Sequence, residues 1–456
     1  MKIWNMIITG MCAAMVLLAS TDARSDILVK RKPKLVSQLN GTAGENRNPD
    51  LTLVRSEAFQ GFRFTWQNYT SQKVYWTSVN RYGQVGAEME ITESDASGSS
   101  VPSISGIPEG DFIISWSEYI EEAGSTRILG KRYNSSGSPM GDPMVIEYAD
   151  ELDYVGDYYL VESQEITAVD LPGQDDHTLL LGWLLNAPSD RDNTFGRLIT
   201  FPQYDWGTIP SYQFLGSDPD EPGHLDNSTV SPPWIYDSHP SILVRDNQEE
   251  FVATWTRADS PETEVRFSTF TLPGGYPLLD NVRGEIADMS QGYIDRDVDV
   301  AAGGFDDFVV QWEQADNLYV RVFDWDTGEA VTASPRVINR DPISGTGSGY
   351  WGNEVVHVSD DNNISHYISV WNSKNGGTGL YEIHGRPFWI EYDTSPPSLV
   401  LGTERVLARS NDQDFIQPRA EADSNKLYLV FAGGESGGNV FDIYFGTWLI
   451  YYPYTP

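Results

Sequence analysis

Short apolar runs, each closed by a large aromatic residue, recur seven times along this chain. They are FRFTW to Trp66, FIISW to Trp116, LLLGW to Trp183, FVATW to Trp255, FVVQW to Trp312, YISVW to Trp371 and LYLVF to Phe431. The intervals are 50, 67, 72, 57, 59 and 60 residues, the length of one four-stranded antiparallel sheet with its connections. Such a unit cannot bury its apolar face alone, whereas copies stacked around an axis can.

The second repeat has the clearest order of polar and apolar positions. Pro102–Pro108 (PSISGIP) alternates as a strand, Glu109-Gly110-Asp111 is a tight turn, and FIISW is a buried strand. A polar loop over 117–124 leads to Ser125–Tyr133, a turn at Asn134-Ser135-Ser136-Gly137 and an outer strand near Met144–Tyr148. Period-two alternation, β-branched and aromatic enrichment and glycine-bearing turns are what strands and hairpins require. After the N-terminal leader no useful stripe of period 3.6 is found, so little helix is expected. First strands recur near Pro49–Arg55, Glu165–Leu171, Pro240–Arg245, Asp297–Ala302, Glu354–Val358 and Pro418–Ala422. Third strands recur near Val74–Tyr82, Thr194–Phe201, Glu264–Thr271, Leu318–Trp325, Leu380–Trp389 and Phe441–Leu449.

Repeat seven has no fourth strand before the chain stops at Pro456, and Lys34–Gly41 (KLVSQLNG) has no partner upstream. Pairing the two ends supplies the missing strand and removes two raw sheet edges. The expected fold is therefore all-β. It is a single seven-bladed β-propeller of four-stranded antiparallel blades over 24–456, closed by the N-terminal strand completing the last blade.

The pattern PSISGIPEGDFIISW followed by ILGKRYNSSGSPMG resembles repeats of large bacterial secreted and calcium-binding adhesin-like proteins. Those repeats run approximately Pro-Ser-Val, Asp-Gly-Gly-Phe-Val-Val-x-Trp, then Gly-x-Arg-Tyr-Asp-x-x-Gly. The resemblance spans essentially all of the chain after the leader and is blurred in repeats three and six. It implies architecture and an extracellular setting. It carries no catalytic residue across, because fold does not imply function.

Lys2, the apolar stretch Met6–Ala19 and Thr21-Asp22-Ala23 read as a secretory signal peptide over 1–23. The stretch is too short and too poorly flanked for a spanning helix. The one cysteine, Cys12, falls within it, so the mature chain is expected to hold no disulfide and no cysteine-bound metal. Secretion without disulfides suits a bacterial periplasmic or extracellular protein. Thirty Lys and Arg against 66 Asp and Glu give −36, which argues against nucleic acid and anionic membranes as partners. Apolar residues at 40% and aromatics at 12% contradict the disorder that such a charge otherwise suggests. A monomer is expected. Fourteen Trp and 24 Tyr exceed what a core needs, so some belong to the surface.

Unequal inter-blade loops hold many of these aromatics. Tyr154, Tyr158 and Tyr159 precede repeat three, and His224, Trp234 and Tyr236 precede repeat four. Tyr293, then Tyr350 and Trp351, then Phe415 precede the last three. Such rings either stack on sugars or cap the blade junctions. Just before the first strands stand Asn48, Val101, Gln164, His239, Arg296, Asn353 and Gln417, with Glu165, Asp297, Glu354 and Arg419 adjacent. At a channel mouth these converge, either on a ligand or on channel water.

His239 there serves as a general base or, equally, bonds a loop backbone. With Arg296 neutralising a uronate and Tyr236 or Tyr293 passing a proton, β-elimination of acidic polysaccharide becomes feasible. Ulvan and oligogalacturonate lyases look like seven-bladed propellers too, a similarity of fold only. The expected catalytic set is His239, Arg296, Tyr236 and Tyr293; the expected ligand contacts are His224, Trp234, Tyr350, Trp351, Glu165 and Glu354. Hydrolysis between paired acids among Glu165, Asp297 and Glu354 is the enzymatic runner-up. A lectin, an adhesin or a protein-docking propeller is the non-enzymatic alternative. No nucleophile elbow, zinc-protease helix or phosphate loop occurs. Asp218–Glu221 and Ser359–Asn363 offer oxygens to calcium but lack its full loop pattern, so no cofactor is expected, with calcium the one alternative. The pairs Arg81-Tyr82, Arg132-Tyr133, Gly196-Arg197 and Gly385-Arg386 recur with the repeat and read as architecture.

Overall fold

The computed structural model describes residues 26–29, 33–37, 46–55, 60–92, 99–107, 110–120, 125–148, 160–169, 177–187, 191–201, 211–214, 235–237, 240–245, 250–259, 262–271, 294–314, 316–340, 352–361, 363–423, 426–435 and 441–451. The predicted leader lies outside these residues. Among them there is no α-helix, and no helix is long and apolar enough to cross a membrane.

The strands form a β-propeller of antiparallel blades, gathered into six sheets. Sheet 1 runs Asn46–Arg55, Gln60–Asn68, Lys73–Asn80, Met89–Glu90, and sheet 2 runs Ser99–Gly106, Phe112–Ile120, Ser125–Tyr133, Met144–Tyr148. Sheet 4 runs Ile294–Ala302, Asp307–Gln314, Asn317–Asp324, Arg336–Val337. Sheet 5 places Asn353–Asp361, Ile364–Lys374 and Tyr381–Glu391 in order, with Ser398–Leu401 and Arg405–Ala408 both on the third strand. Sheet 6 orders Gln413–Asp423, Lys426–Glu435 and Phe441–Tyr451, and its outer strand receives Asp26–Val29 and Lys34–Leu35.

Among the described residues the sheets number six, not the seven separate blades expected. Sheet 3 has eight strands and holds repeats three and four together. The reason lies in a short inner strand. Ser241–Val244 pairs only with Phe251–Thr254, leaving the edge of Arg257–Asp259 open. Ile235–Asp237 fills that edge antiparallel and bridges to Arg191 on its other side. An uncovered ladder seeks a partner, and here the partner joins two repeats.

The apolar runs do not alternate because both faces of the second strands are covered. Asp307–Gln314 is buried at every position, whereas Asn317–Asp324 beside it alternates. Facing sheets share each core. Phe112, Ile114 and Trp116 of sheet 2 meet Val54 and Trp76 of sheet 1, and Val298 and Phe308 of sheet 4 meet Val252 and Phe267 of sheet 3. The run-ending rings Trp66, Trp116, Trp255, Trp312, Trp371 and Phe431 are all at most 1% exposed.

Sheet 6 packs on sheet 1 in the same way, with Ile416, Val430 and Phe445 against Leu51, Phe62 and Phe64. The expected N-terminal partner strand starts earlier than Lys34–Gly41. Asp26–Val29 pairs with Trp448–Tyr451, Lys34–Leu35 pairs with Tyr444–Phe445, and residues 38–45 lie outside the described ones.

Candidate functional site

Each first strand places one residue opposite the position just before the run-ending aromatic. The seven are Asp50, Ser103, Glu165, Ser241, Asp299, Glu354 and Arg419. On the fifth repeat the place belongs to Asp299 rather than Asp297, because the register slips between Ile294 and Val298. Similar slips precede Asp50, Ser103 and Arg419. A bulge re-aims the residues that follow it.

Five of them, Asp50, Ser103, Ser241, Asp299 and Glu354, link neighbouring repeats. Asp50 Oδ2 accepts from the Ile104 amide at 2.8 Å and from Ser103 Oγ at 3.0 Å. Ser103 Oγ accepts from the Ile166 amide at 3.3 Å. Ser241 Oγ donates to Asp299 Oδ1 at 2.8 Å, while Asp299 Oδ2 accepts from the Val355 amide at 2.6 Å. Glu354 Oε2 accepts from the Ala420 amide at 2.5 Å. In four of these links the donor is the amide one residue beyond the equivalent position of the next strand. Burial pushes the carboxyls of Asp50, Asp299 and Glu354 above their usual range, and the Arg419 guanidinium opposes the rise at all three. One layer further on, burial beside Asp50 raises Glu421 to about 7 although the Leu53 amide donates to it.

At the mouth, Asn48 and Gln417 bond each other: the Asn48 amide donates to Gln417 Oε1 at 3.0 Å, and Gln417 Nε2 donates to Asn48 Oδ1 at 2.8 Å. Both have left-handed backbones, φ 51° and 52°. That conformation is unfavourable for a residue such as Gln, and the reciprocal bonds hold it. Asn353 is buried and accepts from Gln311 Nε2 at 2.9 Å.

Of the expected catalytic set, His239 and Tyr293 lie outside the described residues, and Arg296 is described only as backbone within Ile294–Ala302. Tyr236 is likewise described as backbone, paired with Ala258 in the strand that joins repeats three and four. Among the expected ligand contacts, His224, Trp234, Tyr350 and Trp351 lie outside the described residues, Glu165 is backbone in Leu160–Val169, and Glu354 belongs to the locking ring. Asp218–Glu221 also lies outside; Asp360 of the other oxygen-rich segment accepts from Ser365 Oγ at 2.7 Å and contacts His357 Nε2 at 3.0 Å. Among the described residues no group of three or more His, Cys, Asp or Glu is placed to hold a metal.

A cleft of about 340 Å³ opens at the opposite end of the first strands, between sheets 1 and 6. Among the described residues its charged lining is Lys34, Arg55, Arg81 and Lys426 against one carboxylate, Asp423. In the whole chain acids outnumber cations 66 to 30, so this inversion departs from composition. Arg55 pairs with Asp423 at 2.8 Å. Arg81 donates to the Tyr82 hydroxyl at 2.6 Å and lies 4.8 Å over that ring, and Tyr82 is 63% exposed. Lys34 Nζ donates to the Gly83 carbonyl at 3.0 Å. Phe62 and Tyr428 form an aromatic wall, centroids 4.1 Å apart.

The cleft was not anticipated, and Arg81-Tyr82 shows why. Arg132 pairs with Ile113 within its ladder, next to Tyr133 opposite Phe112. In the first repeat the residue opposite Phe62 is Val79, so Arg81 lies beyond the end of the ladder, in the turn. The two Arg-Tyr pairs are out of step. Arg132 is buried against Asp111 at 2.6 Å, as an architectural residue should be, and Arg81 is exposed. A second signal was the run Lys30-Arg31-Lys32-Pro33-Lys34, four cations in five residues of an acidic chain.

No protein-family model matches this chain, and no curated protein matches it in sequence. Solved structures of similar fold include an α-L-arabinanase of Penicillium chrysogenum complexed with arabinobiose, at 13% identity and TM-score 0.43, covering 78% of this chain and 95% of that one. The K499G mutant of NanB sialidase from Streptococcus pneumoniae is similar at 8% identity and TM-score 0.48, covering 92% and 70%. The Dos1 propeller is similar at 8% identity and TM-score 0.47, covering 92% and 95%. At these identities the likeness is one of fold and transfers no residue role.

Proposed function

We propose that this chain is a secreted β-propeller that binds acidic polysaccharide in the cleft between its first and last sheets. The observation that carries the reading is that, among the described residues, four cations face one carboxylate beside an aromatic wall, in a protein of charge −36. A uronate or sulfate group finds charge-assisted donors there, while Tyr82 and Tyr428 offer a flat face and a hydroxyl to a sugar ring. The net charge disfavours long nucleic acids, whose phosphates extend past any single cationic cleft. Binding, rather than cleavage, is the form this cleft supports. Its described lining holds no histidine and no second carboxylate for acid–base work. Elimination by His239, Arg296 and Tyr236 or Tyr293 is a separate proposal, tested by ultraviolet absorbance of an unsaturated product.

Calorimetry with polygalacturonate, alginate and chondroitin sulfate, against neutral dextran, tests the binding. Acidic chains are expected to bind, with affinity falling as salt rises, and dextran is not. Arg81→Gln and Lys426→Gln are each expected to weaken binding roughly tenfold, about 1.4 kcal/mol. Equal binding of dextran, or substitutions without effect, would refute the reading.

A further inference from the structure

The cleft is assembled from both ends of the chain. Arg55 and Arg81 come from sheet 1, Lys426 and Tyr428 from the body of sheet 6, and Lys34 from an N-terminal strand laid on its edge. We infer that filling the cleft and docking that N-terminal segment are one linked equilibrium, an anionic ligand acting as a clasp across the seam between the first and last sheets. The inference rests on the acidic-ligand reading of the cleft.

The docked segment is lightly held. Its ladders are Asp26–Val29 against Trp448–Tyr451 and Lys34–Leu35 against Tyr444–Phe445. Leu35 is 45% exposed, and the apolar anchor beside it is Val36, whose amide donates to the Ile443 carbonyl at 2.7 Å. Ser37 adds a hydroxyl that accepts from the Ile443 amide at 2.9 Å. Two- and four-residue ladders are marginal by themselves.

Docking also brings the Lys34 ammonium into a cleft that already holds three cations and one carboxylate. Its bond to the Gly83 carbonyl crosses from sheet 6 to sheet 1. With the cleft empty, like charges oppose the docked state. An anion between them reverses the sign of that interaction, so it binds the docked state better than the undocked one. Linkage then requires reciprocity: whatever factor of affinity is lost on undocking is the factor by which ligand protects the docked strands.

Hydrogen exchange of the full chain, with and without trigalacturonate at about 100 times its Kd, reads this directly. If the undocked state does not bind, opening of the seam falls roughly 100-fold. Exchange is expected to slow by 10- to 100-fold in Asp26–Val29, Lys34–Leu35 and Phe441–Tyr451, and to stay unchanged in Ser125–Tyr133 and Tyr381–Glu391. Lys34→Gln should weaken binding and erase that protection together, and Lys34→Arg should restore both. Binding by calorimetry without protection of those strands, or with equal protection of the two control strands, would overturn the clasp and leave the acidic-ligand reading standing. Absence of binding by trigalacturonate and by a chondroitin sulfate tetrasaccharide would overturn both.

Discussion

Replacing Asp307 by Asn should make the protein more stable at neutral pH and no more stable in acid. Asp307 opens the second strand of sheet 4 and is 1% exposed. The Tyr392 hydroxyl donates to its Oδ2, and the Tyr367 hydroxyl lies beside it. Space around it is closed, since a Cβ on Gly303 would stand 1.8 Å from its Oδ1. Burial, reinforced by the charge of Asp360, pushes its pKa from 3.8 to about 7. For a carboxyl raised in the fold, the native state binds the extra proton between the two values, so stability falls as pH rises through that window. About three units at 1.36 kcal/mol each make the loss roughly 4 kcal/mol above pH 7. Asn keeps an acceptor for one tyrosine and cannot ionise. Urea unfolding followed by tryptophan fluorescence, from pH 4 to 8, should show wild type and variant diverging by up to roughly 4 kcal/mol at the alkaline end. Taking the difference between the two proteins cancels the other raised acids. Parallel pH profiles, or a variant weaker at pH 8, would refute the assignment.

Three further outcomes follow from the packing. Asp111→Ala leaves the buried Arg132 guanidinium and the Ser135 amide without the carboxylate they share, which should cost about 3–5 kcal/mol by denaturant melts. Gly352→Ala would set a methyl 2.7 Å from the Gln417 Cα and the Pro418 Cδ, and such overpacking should destabilise by about 1–3 kcal/mol in the same assay. Arg419→Met removes the charge that holds down Asp50, Asp299 and Glu354, so their pKa values rise further and the variant should lose stability as pH increases from 4 to 8 more steeply than wild type.

The apolar runs made the all-β repeat legible because burial on both faces abolishes alternation, and a five-residue run ending in Trp has little other use. Trp66, Trp116, Trp255, Trp312 and Trp371 mark equivalent points in their sheets, each indole buried to 1% or less. What the runs could not convey was how far each neighbour strand extends. Ser241–Val244 has the same Pro-Ser opening as the second repeat, yet it covers only part of its partner, and Ile235–Asp237 takes the remaining edge. A predicted loop thereby became the strand that merges two repeats. The last strand pairs with Lys34–Leu35, at the start of the expected N-terminal strand, and also with Asp26–Val29, which stands close behind the predicted leader and was not expected to pair.

Residues of the ring were legible to within a bulge. Glu165, Glu354 and Arg419 were picked out beside the mouth, while Asp299 was missed by two positions because a register slip leaves no mark in one sequence. Their role was harder to read than their place. A carboxylate near a propeller axis suggests catalysis only while its oxygens are free for substrate. Here the Ile104, Val355 and Ala420 amides each bond one oxygen of Asp50, Asp299 and Glu354, tying it to the next strand. The same position carries hydroxyls in the second and fourth repeats, and Ser103 accepts the Ile166 amide as a carboxylate would. What Asp50, Ser103, Asp299 and Glu354 share is therefore an acceptor for the next strand, and the charge is incidental to it. Three acids so placed need a counter-ion, and Arg419, the one cation among the seven, supplies it from the last repeat. The ring consequently joins the last sheet to the first electrostatically, through Arg419 and Asp50, at the seam whose far end opens into the cationic cleft. Along that seam a cation from sheet 6 faces an acid of sheet 1 at Asp50, and the pairing reverses at Arg55 and Asp423. Beyond it stand Lys34, Arg81 and Lys426, and among the described lining residues Asp423 is the one carboxylate, which is the imbalance the proposed acidic ligand would answer.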